Sequence, residues 1–505
     1  MLKFILKRLG ASIGILFAAS FLLYILVINS GDPLSDLRES IADNRDYLMQ
    51  QRSDYMNLDM PWFQRYWTWL VGVGGCFALK CDLGTNIQGI EVTGLLGAAA
   101  SSTLRLVVLA TVLAAIAGIA IGVLSAIRQY SGLDYGVTFL TFLFFSLPVF
   151  WAAVMLKEYM AIGYNDWMKD PSFSTVQIVL VALLFGFLMQ VFLAGTIRRR
   201  LATFAVSAAF VAVVIPYLLW LNFFRYPQLG PAAIVVLSLA VALSGTAMSV
   251  GIRNKLVLYP ALITVGLGLV MYYATFSLLT EPNTWILIVG GILCVAIPGA
   301  IGHFMGGRLR KTAMTVSAVT GLVFGGLTVI DHIFRAWPGF LALKPRPIGT
   351  IGSQTPNFTG DFWETFLDRG AQLLLPTLLL AIISLASYSR YTRASMLEVG
   401  QQDYIRTARS KGLSERTVIF RHAFRNALIP IATIAAFDFA GLIGGAVITE
   451  TVFGWKGMGQ MFTTGLHAVD PAPVMAFFLV TGTAAVLFNM LADIFYALLD
   501  PRIRV

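Results

Sequence analysis

With 57% hydrophobic and only 12% charged residues over 505 positions, the chain carries more apolar surface than a water-soluble domain can hide. Apolar runs of about 20 residues recur, each long enough at about 1.5 Å per residue to cross a hydrocarbon core of roughly 30 Å. The formal net charge of +10 falls as short basic clusters between those runs, which suits loops beside anionic lipid headgroups and argues against nucleic-acid binding.

In chain order, the basic opening MLKFILKRLG leads into an apolar stretch at 9–29. At about 21 residues it is longer than the core of a cleavable signal and is expected to stay as a first span. Lys3, Lys7 and Arg8 place the N-terminus in the cytoplasm, because cytoplasmic loops carry the excess of Lys and Arg. Residues 31–100 are acid-rich and suit the outside, with an aromatic amphipathic piece at 62–69 fit to lie on the outer interface. Spans are predicted at 103–127 and at 136–161, the latter passing Ser146-Leu147-Pro148. Further spans follow at 176–195, 203–221, 232–250, 256–278, 285–304 and 313–330. The Pro- and Gly-punctuated stretch 331–370 reads as an external loop without a span. Three more spans follow, at 371–388, 427–449 and 474–498. The total is about twelve, with both termini cytoplasmic in a multi-pass protein of the cell membrane; Lys169 and Arg225 are the exceptions to the charge rule.

The segment 400–430, GQQDYIRTARSKGLSERTVIFRHAFRNALIP, is too polar to span and too patterned for a passive linker. Helix formers dominate from Asp403 to Lys411, Gly412 can end that helix in a left-handed conformation, and Ser414 with Thr417 can start another. A short, stiff, basic and partly apolar helix on the cytoplasmic face suits docking into a soluble partner and transmitting a push.

This segment resembles the coupling loop of permease subunits of binding-protein-dependent ABC importers, in the dipeptide and oligopeptide branch. The likeness rests on Asp403, Tyr404, Ile405, Arg406, Thr407, Ala408, Arg409, Ser410, Lys411, Gly412 and Leu413, with Arg406-Thr407-Ala408 standing where the general Glu-Ala-Ala motif of such importers is found. Further ordered matches are the opening through Gly31-Asp32-Pro33, Asp82-Leu83-Gly84, the run from Ser146 to Trp151, the run from Glu450 to Gly459, and the tail 489–504. The resemblance covers 1–160 and 335–505. It implies an all-α integral membrane fold, a type I ABC importer permease core of about six spans. Here about six additional spans are inserted at 165–330, and the coupling loop occupies 390–425. It implies ATPase-coupling roles for Asp403, Tyr404, Arg406, Thr407, Ala408, Arg409, Lys411, Gly412 and Leu413. The implied partners are a homologous second permease subunit, two ATPase subunits or domains, an extracytoplasmic peptide-binding protein and membrane lipid. The implied mechanism is alternating access for dipeptides or oligopeptides; the same branch also moves nickel chelates and glutathione.

The sequence contains no Walker A pattern; the stretch 306–312 lacks the second glycine before its Lys, so hydrolysis falls to partner ATPases and the chain is read as non-catalytic. A secondary transporter of about twelve spans is the competing class; a membrane-embedded enzyme is the other, and no acid–histidine cluster supports it. Asp438 falls mid-span, where a carboxylate must face water or a partner; it either lines the translocation path or hydrogen-bonds a neighbouring helix. Asn489 and Asp493, four apart near the end of the last span, are expected to bond neighbouring helices. Gly118 with Gly122, and Gly441 with Gly444 and Gly445, form small faces suited to close helix packing. Cys76 and Cys81 fall in the loop assigned outside, where they either bridge or stay free. The scattered histidines predict no metal site, and no cofactor is expected.

Overall fold

The computed structural model describes residues 2–193 and 195–499. They are helical almost throughout, and the backbone pairing outside helices is one isolated antiparallel bridge between Thr85 and Glu91. Among the described residues eleven helices are long and apolar enough to cross a membrane, or twelve if a bent pair counts as one span. This is the all-α, multi-span architecture that the apolar runs predict.

The differences lie at helix ends. The span predicted at 136–161 is broken: Gly132–Ser146 and the segment after it meet at 104°. Leu147 is extended (φ −75°, ψ 127°), the conformation that a following proline favours, and Pro148 has no N–H to donate to the preceding turn. The stretch 331–370 is only partly a loop. The helix Arg310–Leu343 runs 13 residues past position 330 and Phe362–Gly400 starts nine before 371. Polar residues do not end a helix when their side chains find partners, and Asp331 shows why. Its buried carboxylate accepts the Leu229 and Gly230 N–H groups (3.0 and 2.9 Å), the Tyr272 hydroxyl (2.9 Å) and Arg335 Nε one turn on (2.8 Å).

The chain packs as two units. The first comprises 1–161, 350–353 and 372–505. Its core is built from Leu106, Val107, Ala110 and Ala114 of the Val92–Ile127 helix, Tyr388 of Phe362–Gly400, Ile431 and Ile443 of Phe424–Gly445, and Phe477 of Pro471–Leu499. Backbones meet closely where side chains vanish. A Cβ on Gly118 would sit 2.7 Å from that of Tyr388, and one on Gly122 2.6 Å from Thr392 Cβ, so both glycines admit the Phe362–Gly400 helix.

The second unit comprises 162–349 and 354–371. Five membrane-length helices, Thr175–Leu193, Ile197–Trp220, Gly230–Ser249, Lys255–Ala274 and Thr284–Met305, precede Arg310–Leu343 among the described residues. The last of these packs on several of the others through Phe324 against Ile234, Ala261 and Val265. A Cβ at Gly302 or Gly321 would run into the backbone of the facing helix, which fixes Thr284–Met305 tightly on Arg310–Leu343.

Candidate functional site

The segment after Gly400 forms a helix at Asp403–Ser410, ended by Gly412 at φ +74°. Gly412 is needed there for its left-handed backbone, since a Cβ would meet nothing within 4 Å. The chain then resumes helix at Glu415–Thr417, passes through a π-helical stretch at Val418–Ala423, and continues as Phe424–Gly445. Ser414, just before this restart, bonds Thr417 hydroxyl to hydroxyl at 3.0 Å.

The Asp403–Ser410 helix is sharply two-faced. Ile405 and Ala408, three apart, are buried against Val123, Met396, Val418, Ala423 and Ala427. Those five residues belong to the C-terminal end of Val92–Ile127, the C-terminal end of Phe362–Gly400 and the start of the helix leading into Phe424–Gly445. Burying Ile405 completely is worth about 2 kcal/mol, enough to seat a helix too short to be stable alone. The opposite side is open: Asp403, Arg406, Thr407, Arg409, Lys411, Gly412 and Leu413 are all exposed. Arg409 reaches Glu415 at 2.9 Å across the glycine turn, and Tyr404 accepts a hydrogen bond from Asn426 at 2.9 Å, so the turn and the following helix hold together as one piece.

Behind this module sits a buried ion pair that no local sequence signal marks. Arg393 donates two bonds to Asp134, from Nε at 2.7 Å and a terminal nitrogen at 2.9 Å, and Asp134 also accepts the Ser125 hydroxyl and the Tyr130 N–H. The fork ties the first turn of Gly132–Ser146 to Phe362–Gly400 one turn before Met396, itself in the cluster beneath Ile405. A second buried carboxylate, Glu450, accepts Thr103 Oγ1 at 2.6 Å and the N–H groups of Gly459 (2.7 Å) and Gln460 (3.1 Å). The Thr103 hydroxyl in turn accepts the Met458 N–H at 2.8 Å, so the loop 454–460 is moulded around one carboxylate. Gly457 and Gly459 leave the room it occupies.

Asp438 bonds a neighbouring helix: Tyr388 donates to it at 2.9 Å and Ser384 at 3.2 Å. Cys76 and Cys81 are joined by a disulfide. Gly444 lies 4.0 Å from Thr481, whereas Gly441 meets nothing within 4 Å and takes no part in packing within the chain. Asn489, expected to bond a neighbouring helix, is exposed and makes no side-chain hydrogen bond among the described residues. The physical reason is rotation. Phe488 packs on Phe439 with ring centroids 5.0 Å apart, and the next residue turns about 100° away. The side chain of Asp493 and the surroundings of Gly445 lie outside the described residues.

A charged, pre-seated helix at the ends of several spans and a multi-span helical body are features of a transport component. The family described as binding-protein-dependent transport system inner membrane component matches residues 182–505. The chain is 38% identical over 228 residues to the oligopeptide transport system permease protein of Mycobacterium tuberculosis (strain ATCC 25618 / H37Rv), covering 44% of this chain and 69% of that protein. It is 34% identical over 254 residues to the di/tripeptide transport system permease protein of Pseudomonas aeruginosa (strain UCBPP-PA14), covering 49% of this chain and 72% of that one. Against the dipeptide transport system permease protein of Escherichia coli (strain K12) the identity is 43% over 139 residues, or 28% of this chain and 41% of that protein. A match over most of the chain, on a body of eleven or twelve membrane-length helices, places this protein in the family of binding-protein-dependent transport system inner membrane components, with the all-helical type I permease fold.

Proposed function

We propose that this chain is the permease subunit of an ATP-driven importer of dipeptides or oligopeptides, and that the Asp403–Ser410 helix is where partner ATPases grip it. The observation that carries the reading is the two-faced seating of that helix. Its apolar side is buried at the ends of membrane-length helices, while Arg406, Arg409 and Lys411 stand open for a soluble partner. Force applied to the exposed face passes into the bodies of several helices at once, because Ile405 and Ala408 share one apolar cluster with residues of each. Alternating access follows: closure of two ATPase subunits or domains moves the helix, and the attached spans switch the path between outward-facing and inward-facing states.

In this arrangement segment 403–425 and both termini lie in the cytoplasm. A homologous second permease completes the path, and an extracytoplasmic binding protein delivers the peptide. Peptide as cargo is supported by the names of the relatives, all of them peptide permeases. The test is reconstitution of the purified permease pair with its ATPases and binding protein in proteoliposomes. Charge reversal at Arg406 and Arg409 is expected to abolish peptide uptake while the complex still hydrolyses ATP or loses its ATPases. Full uptake by the reversed variant would refute the proposal.

A further inference from the structure

The second unit gathers basic side chains at one end with no carboxylate to meet them. Between 171 and 330 the single acidic residue is Glu281, in the turn that leads into Thr284–Met305. Gly230–Ser249, Lys255–Ala274, Thr284–Met305 and Arg310–Leu343 are joined by short turns and pack on one another, so the chain runs alternately up and down. The turns 250–254 and 306–309 therefore come to one end and Glu281 to the other. The two turns adjoin: a Cβ on Gly307 would lie 3.7 Å from the Leu256 side chain.

Arg253 and Lys255 lie in or just after the first turn, and Arg308, Arg310 and Lys311 in or just after the second. All five are exposed, and none makes an ion pair or a side-chain hydrogen bond among the described residues. The basic segments of the first unit differ: Arg393 meets Asp134, Arg409 meets Glu415, and Arg406 lies 3.6 Å from Asp403. Apolar side chains stand open beside the five cations. Ile252 and Leu256 flank the first turn, and Met305 and Phe304, the latter 84% exposed, precede the second.

Like charges held in two adjoining turns repel one another, and an anion shared between them relieves that repulsion, most of all beside a low-dielectric membrane. A free inorganic anion would answer the charge and leave Phe304, Met305, Ile252 and Leu256 uncovered. Phe304, Met305 and Leu256 belong to the ends of membrane-length helices, where acyl chains are the natural neighbours. A phospholipid with a negatively charged headgroup supplies both parts: phosphate oxygens for Arg and Lys, and hydrocarbon for the apolar side chains. Orienting the spans requires Lys and Arg on loops, but not two such turns packed side by side.

We propose that the turns 250–254 and 306–309 form a binding site for an anionic phospholipid. Its phosphate is received by Arg253, Lys255, Arg308, Arg310 and Lys311, and its acyl chains lie against Phe304 and Leu256. The site belongs to the second unit and requires neither the ATPase contact at 403–410 nor any particular cargo, so it stands if either of those fails.

Native mass spectrometry of the purified full chain in detergent, titrated with dioleoyl-phosphatidylglycerol or dioleoyl-phosphatidylcholine, tests it. The anionic lipid is expected to bind roughly tenfold or more tightly than the zwitterionic one. Arg253→Gln, Arg308→Gln and Arg310→Gln together are expected to remove most of that preference. Arg198→Gln, Arg199→Gln and Arg200→Gln, an equal loss of charge at the start of Ile197–Trp220, are expected to keep it. All six arginines are exposed, so neither triple variant disturbs a buried side chain. Equal binding of the two lipids, an unchanged preference in the first triple variant, an equal loss in both, or displacement of the lipid by inorganic phosphate would overturn the proposal.

Discussion

Asp134 and Arg393 illustrate how much of this protein rests on single pairs. Asp134 is 3% exposed at its side chain, and the guanidinium bonded to it comes from a residue 259 positions away. Asp134→Asn leaves the guanidinium without its counter-charge and is expected to lower stability by about 3 kcal/mol. Arg393→Lys, which keeps the charge but loses the fork, is expected to lower it less. Thermal unfolding in detergent micelles checks both, and an unshifted midpoint for Asp134→Asn would show that the pair is slack. Asp470 yields a pH prediction. Burial pushes its carboxyl up from 3.8 to about 6, against the lowering effect of two N–H bonds. The folded state therefore holds a proton that the unfolded state has released between these two values. Its contribution to stability is fully present below about pH 4 and is lost as pH rises to about 6 and above. Asp470→Asn keeps an acceptor for Ile87 and is expected to flatten the pH dependence of unfolding across that window. An unaltered slope would assign the dependence elsewhere.

At the scale of the element, the Asp403–Ser410 helix separates seating from recognition, and substitutions can address each face alone. Ile405→Asp puts a charge into the cluster of Val123, Met396 and Ala427. It is expected to release the helix, seen as faster hydrogen exchange across 403–410, with loss of coupled uptake. Charge reversal at Arg406, exposed on the other face, is expected to leave exchange there unchanged while weakening ATPase binding. Equal exchange in the two variants would mean that the apolar face does not seat the helix. Gly412→Ala meets open space but a φ of +74°, so its cost is conformational and about 1 kcal/mol. The π-helical stretch Val418–Ala423 joins this module to the Phe424–Gly445 helix without a loop, so no slack intervenes between the docking face and the span.

At the scale of the whole molecule, the proposed function fixes an orientation that a labelling experiment can read. Single cysteines at Ser410 and Ile41, both exposed, are expected to react with a membrane-impermeant thiol reagent from opposite sides. In intact cells position 41 should label and position 410 should not. The reverse pattern would place the charged helix out of reach of any cytosolic ATPase. The native cysteines interfere little, because Cys76 and Cys81 are bridged and Cys294 lies within the Thr284–Met305 helix.

The sequence by itself determined the membrane class, the positions of most spans and the short helix with its glycine stop. Those depend on local quantities: the length of an apolar run, the Lys and Arg between runs, and the backbone freedom of Gly412. Tertiary structure alone decided the helical continuation past Asp331, the rotation of Asn489 away from its neighbours, and the buried carboxylates of Asp134, Glu450 and Asp470. Each of these is settled by partners far along the chain. Thr103 lies 347 positions from Glu450, and Gly230 lies 101 from Asp331. A polar residue in a linear pattern reads as loop, surface or pathway until the folded chain delivers the donor that pays for its burial.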